Sequence, residues 1–171
     1  MNSAPRIRST RFSIALLLWS ICPLAGAQGL AVKRNADAQL PFSSTIWVGD
    51  MLYVSGTLSD ATLPAGAAPG TRPTISGDTH AQMLSALSSI QKTLKAQGLD
   101  MADVVQMRVY LVGDPALGGK MDFAGMNTAY GQFFGTPSQP NKPVRAAVQV
   151  VALAVPSALV EVEVTAVRPK R

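Results

Sequence analysis

Pro143-Val144-Arg145-Ala146-Ala147-Val148-Gln149-Val150 and Val160-Glu161-Val162-Glu163-Val164 are the two stretches on which the fold turns. Successive side chains of a strand point to opposite faces. Glu161 and Glu163 therefore share one face, and Val160, Val162 and Val164 share the other. Arg145 likewise falls on one face with Ala147 and Gln149. The pattern predicts two strands, Val144 to Val151 and Ala158 to Val167, flanking a turn around Pro156-Ser157.

Upstream, Val104 to Val112 reads as a strand, with Val105, Met107, Val109 and Leu111 on one face and Gln106, Arg108 and Tyr110 on the other. Between it and the C-terminal pair, Phe123 to Phe134 is predicted as a helix. Asp122 is its N-cap, Gly135 its end, and Met126, Tyr130 and Phe133 share a face. Thr79 to Gln97 is a second helix, with Met83, Leu84, Leu87, Ile90 and Leu94 at helical spacing. Thr79 with Gln82 fits a capping box, and Gly98 sits where a left-handed cap belongs. Ser44 to Leu58 reads as a hairpin: Ile46 to Val48, a Gly49-Asp50 turn, then Met51 to Leu58. A short strand at Leu30 to Lys33 is an optional addition. Ser59 to Gly77 is rich in Ala, Gly, Pro and Thr; a functional loop and a tolerated surface insertion are both open.

The order is thus β-β-α-β-α-β-β, an α+β domain with two helices on one face of a mostly antiparallel sheet. The other face is expected to carry Ser55, Arg108, Arg145 or their neighbours. Subunits packing sheet to sheet would cover it.

The N-terminus has the order of a secretory signal peptide: Arg6, Arg8 and Arg11, an apolar run from Phe12 to Cys22, then Ala25-Gly26-Ala27. Residues 1–27 are read as that leader and 28–171 as a single domain. The mature chain is expected to be periplasmic or secreted, with no membrane attachment. Cys22, the only cysteine, leaves with the leader, which removes disulfides, thiolate nucleophiles and Cys-based metal sites. The full chain carries a net charge of +5. Without the three leader arginines, twelve Lys and Arg face ten Asp and Glu, a net +2. The remaining cations are scattered apart from the Arg168-Pro169-Lys170-Arg171 tail, unlike the basic stripe of a nucleic-acid binder.

His80 is the only histidine, so no His cluster or His-based triad can form within one chain; it reads as a solvated or capping residue at a helix start. Phosphate-loop and dinucleotide glycine patterns are absent. Arg145 beside two alanines in an apolar strand has room to reach into a pocket and grip a carboxylate through its planar fork. A structural salt bridge to Glu161 or Glu163 is the other reading.

The pair P-V-R-A-A-V-Q-V-V-A-L and L-V-E-V-E resembles the signature of the RidA (YjgF) reactive-intermediate deaminase family around its substrate-binding arginine. Leu40-Pro41-Phe42-Ser43 resembles that family's G-P-Y-S, and Tyr53-Val54-Ser55-Gly56 its strand ending in S-G. Phe123 to Phe134 resembles its F-x-x-x-N-x-x-Y-x-x-F-F helix. The ordered set spans nearly the whole mature chain. The resemblance implies a chorismate-mutase-like fold, three domains closing their sheets into a barrel, and ligand sites between subunits of a homotrimer. It implies hydrolysis of enamines and imines such as 2-aminoacrylate to 2-keto acids and ammonia, without metal or organic cofactor. Carried over by position, Arg145 would hold the substrate carboxylate and Glu161 would orient or deprotonate water. Ser55 and Asn127 would line the pocket, and the Ala147 backbone would meet the imine nitrogen.

This chain departs from the pattern in places. Phe42 stands where the family has a pocket tyrosine, Ala147 where a cysteine is common, and Val151 where a small or basic residue is usual. The 59–77 loop looks longer than the family's. The expected activity is therefore imine/enamine deamination, with a non-catalytic module for small carboxylates as the alternative. Ribonuclease action is disfavoured by the lone His80, the small net charge and export.

Overall fold

Val160, Val162 and Val164 lie at the centre of the core. The computed structural model describes residues 29–170 apart from 37, 39, 64 and 72. The expected leader, 1–27, lies outside the described residues. The elements are β1 (Val32–Ala36), β2 (Ser43–Val48), β3 (Met51–Leu58), α1 (Thr79–Ala96), β4 (Val104–Val112), α2 (Phe123–Tyr130), β5 (Val144–Val150) and β6 (Val160–Val167). They form one sheet in the order β1-β2-β3-β6-β4-β5. Every pairing is antiparallel except β4 with β5.

The helices cover one face. Met83, Ala86, Leu87, Ile90 and Leu94 of α1 are fully buried, among the same cluster as Leu52, Met107, Val109, Leu111 and the β6 valines. Each large side chain buried this way contributes about 1.5–3 kcal/mol. The 3.6-residue stripe of α1 therefore selects which face of each strand turns inward.

The last two strands flank a turn, as expected, but they are not neighbours. The segment between them carries the chain past β4, and β6 inserts between β3 and β4. The composition of the two strands explains the exchange. The inward face of β6 is all valine and alanine, suited to a central position, whereas β5 turns Arg145 and Gln149 to the same side and stays at the edge.

Three local readings need correction. Val105 is exposed and Val104 is buried instead, because the β4–β6 register slips between Val104 and Gln106. The second helix ends at Tyr130; beyond it Phe133 and Phe134 amides both turn back to the Tyr130 carbonyl, a tightened turn that closes at Gly135 with φ +72°. At the start of α1 the cap is Asp78, which accepts from the Ala81 amide at 2.8 Å, and not Thr79. Gln82 instead bonds the Gly77 and Ser157 carbonyls and accepts from the Leu159 amide. The Thr79 hydroxyl is buried without a partner.

This arrangement reverses the stability ranking that a Thr79-Gln82 capping box implies. Asp78→Ala should cost about 1 kcal/mol. Thr79→Val, which removes an unpaired buried hydroxyl at constant shape, should be neutral or stabilising. Urea midpoints of the two variants give the order directly.

Candidate functional site

Parallel pairing aligns Met107 with Arg145 and Val109 with Ala147. Since Met107 and Val109 are buried under the helices, Arg145 also points to the helix side. The expectation that it shares the open face with Ser55 and Arg108 is overturned. On that side it meets α2. Nη2 donates to Asn127 Oδ1 at 2.7 Å, and the guanidinium carbon sits 4.4 Å from the centre of the Tyr130 ring and 5.9 Å from that of Phe123. Nη1 approaches Met126 Sδ at 3.5 Å. Phe123, Met126, Asn127 and Tyr130 follow i, i+3, i+4, i+7 spacing, which sets all four on one helix face. Asp122 caps that helix through the Gly125 amide, and Tyr130 is backed by Phe134 at 4.9 Å between ring centres.

Arg145 therefore lies over an aromatic bed with one corner fixed. A guanidinium has five N–H donors in a rigid fork, and Asn127 occupies only part of it. No carboxylate of the described residues lies within ion-pairing distance of Arg145, so the structural salt bridge to Glu161 or Glu163 is not formed. Burial pushes the Tyr130 phenol above its ordinary pKa, while the positive Arg145 pulls it back down.

Glu161 belongs to the other face. It is aligned with Leu58 of β3 and Tyr110 of β4, opposite in direction to the buried Val160 and Val162. Its carboxylate lies directly over Gly56, where an added Cβ would collide with it. Ser55 and Gly56 form the irregularity in the β3–β6 register between Val54 and Thr57. Ser55 lines a shallow cavity of about 240 Å³ with Tyr53, Arg108 and Glu163. Phe42, half exposed, immediately precedes β2, at the end of the sheet that holds this irregularity. Glu163 pairs with Arg108 at 3.2 Å. Glu161 has no such partner among the described residues. Burial, and secondarily the neighbouring Glu163 charge, raises the Glu161 carboxyl above its usual pKa.

One chain thus holds two half-sites. Arg145, Asn127 and Ala147 are on the helix side of an edge strand; Glu161, Ser55 and Phe42 are on or beside the open face. Two strand spacings and three residues of register separate Arg145 from Glu161, about 14 Å through the sheet plane. Ala147 is half-buried against the core, so its side chain adds only apolar contact. The sequence pattern sets Tyr130 on one helix face with Met126 and Phe133; the structure sets it with Phe123 around Arg145, and the seven-residue separation of the two rings was the available signal. Gly56 falls in the Tyr53-Val54-Ser55-Gly56 stretch that resembles the family's strand ending in S-G; its place beneath the Glu161 carboxylate emerges only in the structure. Among the described residues no three His, Cys, Asp or Glu side chains gather as a metal site would require.

A two-helix, single-sheet α+β domain with an arginine half-site on one side and a glutamate half-site on the other defines the class: small domains of the chorismate-mutase-like fold. The family model described as Endoribonuclease L-PSP matches residues 33–168. A RutC family protein of Pyrococcus horikoshii is 32% identical over 74% of this chain and 86% of its own. The 2-iminobutanoate/2-iminopropanoate deaminase of Capra hircus is 33% identical over 75% and 80%, and that of Homo sapiens 31% over 81% and 88%. Among solved structures, a YjgF family member from Neisseria meningitidis superimposes with a TM-score of 0.61 at 23% identity, covering 84% of this chain and all of the other. Escherichia coli TdcF with bound serine gives 0.59 at 27% identity, with 83% and 99% covered. The chain belongs to the RidA (YjgF) family.

The Glu161 environment makes a pH prediction. An acid whose folded-state pKa is raised holds its proton more tightly folded than unfolded. Stability should therefore fall as pH rises from the ordinary glutamate value through the raised one. Glu161→Gln should be no more stable than wild type at acidic pH and more stable at neutral pH. Denaturation midpoints at the two pH values measure the difference; equal gaps at both would contradict the strained carboxylate.

Proposed function

We propose that this protein hydrolyses 2-imino acids and their enamine tautomers to 2-keto acids and ammonia, at sites completed by Arg145 of one subunit and Glu161 of another. The observation that carries the reading is the placement of these two residues on opposite sides of one sheet, each without an ionic partner among the described residues. A site using both needs two copies of the chain. The half-buried to exposed Tyr53, Val144 and Val148 on the open face favour packing between copies. A homotrimer, with three sheets meeting around an axis, supplies three equivalent sites. The relatives named as 2-iminobutanoate/2-iminopropanoate deaminases support the reaction class, and serine bound to TdcF shows that relative accepting a small amino acid.

The chemistry follows from the groups present. The fork of Arg145 receives the substrate carboxylate in two parallel hydrogen bonds. Its aromatic bed and Asn127 keep it from rotating away. Glu161 takes a proton from water as the water oxygen bonds to the imine carbon. That proton passes to nitrogen as the C=N pair moves onto it, giving the carbinolamine. The same carboxyl then takes the carbinolamine hydroxyl proton and delivers it to nitrogen as the C=O forms and the C–N bond breaks, releasing ammonia and the keto acid. Burial, with the neighbouring Glu163 charge, raises the Glu161 carboxyl above its ordinary pKa, which favours its return of a proton after accepting one. Ser55 and Asn127 help hold substrate or water, and the Ala147 backbone faces the nitrogen end. Phe42 contributes an apolar wall where the family's tyrosine would offer a hydroxyl. We place the working protein outside the cytoplasm, as a periplasmic or secreted enzyme, on the strength of the leader-like residues 1–27.

Arg145→Ala should reduce kcat/KM for an imine generated by an amino-acid oxidase by at least about 30-fold. Glu161→Gln should be similarly impaired. Co-expressing the two inactive variants tests the shared site: each mixed trimer regains one intact arginine–glutamate pair, so random mixing should restore about a quarter of wild-type activity. No recovery in verified mixed trimers would place both residues in one subunit's site. Wild-type protein that binds keto acids but releases no ammonia would be a binding module instead.

A further inference from the structure

We infer that the 59–77 loop and the segment joining β5 to β6 build an apolar subsite beside Glu161. It would receive the substrate's side chain, so that the preferred substrates are imines of amino acids with large apolar side chains. This rests on the imine-hydrolysis reading. The loop leaves β3 at Leu58, the residue aligned with Glu161, and the joining segment enters β6 at Val160. Both therefore spring from the end of the sheet where Glu161 stands. Ala61 is three residues beyond Leu58, within about 10 Å along an extended chain.

The two walls are built rather than loose. Thr62 and Thr74 exchange backbone hydrogen bonds of 2.9 and 3.0 Å, closing the loop on itself. Ile75 is buried, and its amide donates to Ser157 Oγ at 3.1 Å, tying the loop to the joining segment. Gln82 of α1, 1% exposed, grips that segment through the Ser157 carbonyl at 3.2 Å and the Leu159 amide at 2.8 Å. The Asp60 amide donates to Ser85 Oγ of the same helix at 3.0 Å. Both walls are thus referenced to α1.

Between them lies a cavity of about 610 Å³, larger than the depression at Ser55. Ala61, Pro73 and Thr74 form one side and Ala154, Val155 and Pro156 the other. None of the described residues that line it carries a charge, and the Ser157 hydroxyl is already engaged by Ile75. Pro73 and Pro156 have fixed φ, which limits collapse of the walls. A cavity of this kind rewards methylene groups and repels charged or hydroxylated side chains. Each buried methylene is worth about fourfold in affinity.

The test measures kcat/KM for imines generated in situ from alanine, leucine and phenylalanine, alongside calorimetric affinities for the three corresponding keto acids. Wild type should favour the leucine- and phenylalanine-derived compounds over the alanine-derived one by at least about tenfold. Ala154→Trp, which fills the cavity from a solvent-exposed position, should bring that ratio close to one, and Ala61→Trp should do the same from the opposite wall. A wild-type ratio near one, or a ratio unmoved by both variants, overturns the subsite. Turnover of the alanine-derived imine that disappears in Arg145→Ala reports on the parent reading separately. If no imine is hydrolysed, the keto-acid affinities still decide the subsite: an apolar preference lost in the variants supports it, and a flat series rejects it.

Discussion

The sheet is organised by the alternation of valine and glutamate in β6. Its central position, between β3 and β4, requires one face to be fully apolar because α1 closes over it. With a period of two, the same alternation sends Glu161 and Glu163 to the face opposite α1 and α2. Two carboxylates two residues apart on one face repel, and Arg108 neutralises only Glu163. Glu161 is left partly buried over Gly56 with its proton held more tightly than usual. A side chain at position 56 would displace it. The core and the partly buried Glu161 carboxyl are consequences of one strand's pattern.

The arginine depends on a different constraint. Only β5 pairs in parallel, and only at the edge. An edge strand tolerates a long cation on its inward face, since the side chain can reach past the core to α2 and still see solvent. There the helix supplies a ring below the guanidinium, a second ring beside it, and an amide oxygen at one corner. A cation held this way retains directed N–H groups for a carboxylate ligand. The thickness of the sheet separates it from Glu161, so chemistry that uses both points to assembly as part of catalysis.

The family carries a description that names a ribonuclease. The geometry around Arg145 favours a small planar anion: a half-buried guanidinium with an aromatic floor, on an edge strand, and no histidine on either half-site. His80, the chain's one histidine, is in the first turn of α1. The substitutions at positions 42 and 147 leave the arginine, the glutamate and the asparagine in place. In the proposed site Phe42 would offer a ring without a hydroxyl, and Ala147 would offer its backbone.

Period-two and 3.6-residue patterns revealed both helices, the β2–β3 hairpin, β4 and the alternations of β5 and β6, since burial of one face writes itself into adjacent residues. They singled out Arg145, Glu161 and Glu163 as the charges to watch; Asn127 of α2 entered only through the family resemblance, and the aromatic bed under Arg145 only through the structure. What they could not contain was the neighbour relation between strands. Local pattern says which way a side chain points relative to its own strand. It does not say that β6 inserts between β3 and β4, that β5 runs parallel at the edge, or that Val104 replaces Val105 at a register slip. Those follow from the competition among strands for the buried centre under α1, which is a property of the whole chain. The sequence alone therefore determined which residues carry charge on which alternating face. Tertiary packing decided that the arginine and the glutamate occupy opposite sides of one sheet, because a sheet has only one place where a fully apolar strand face can be covered by the long helix.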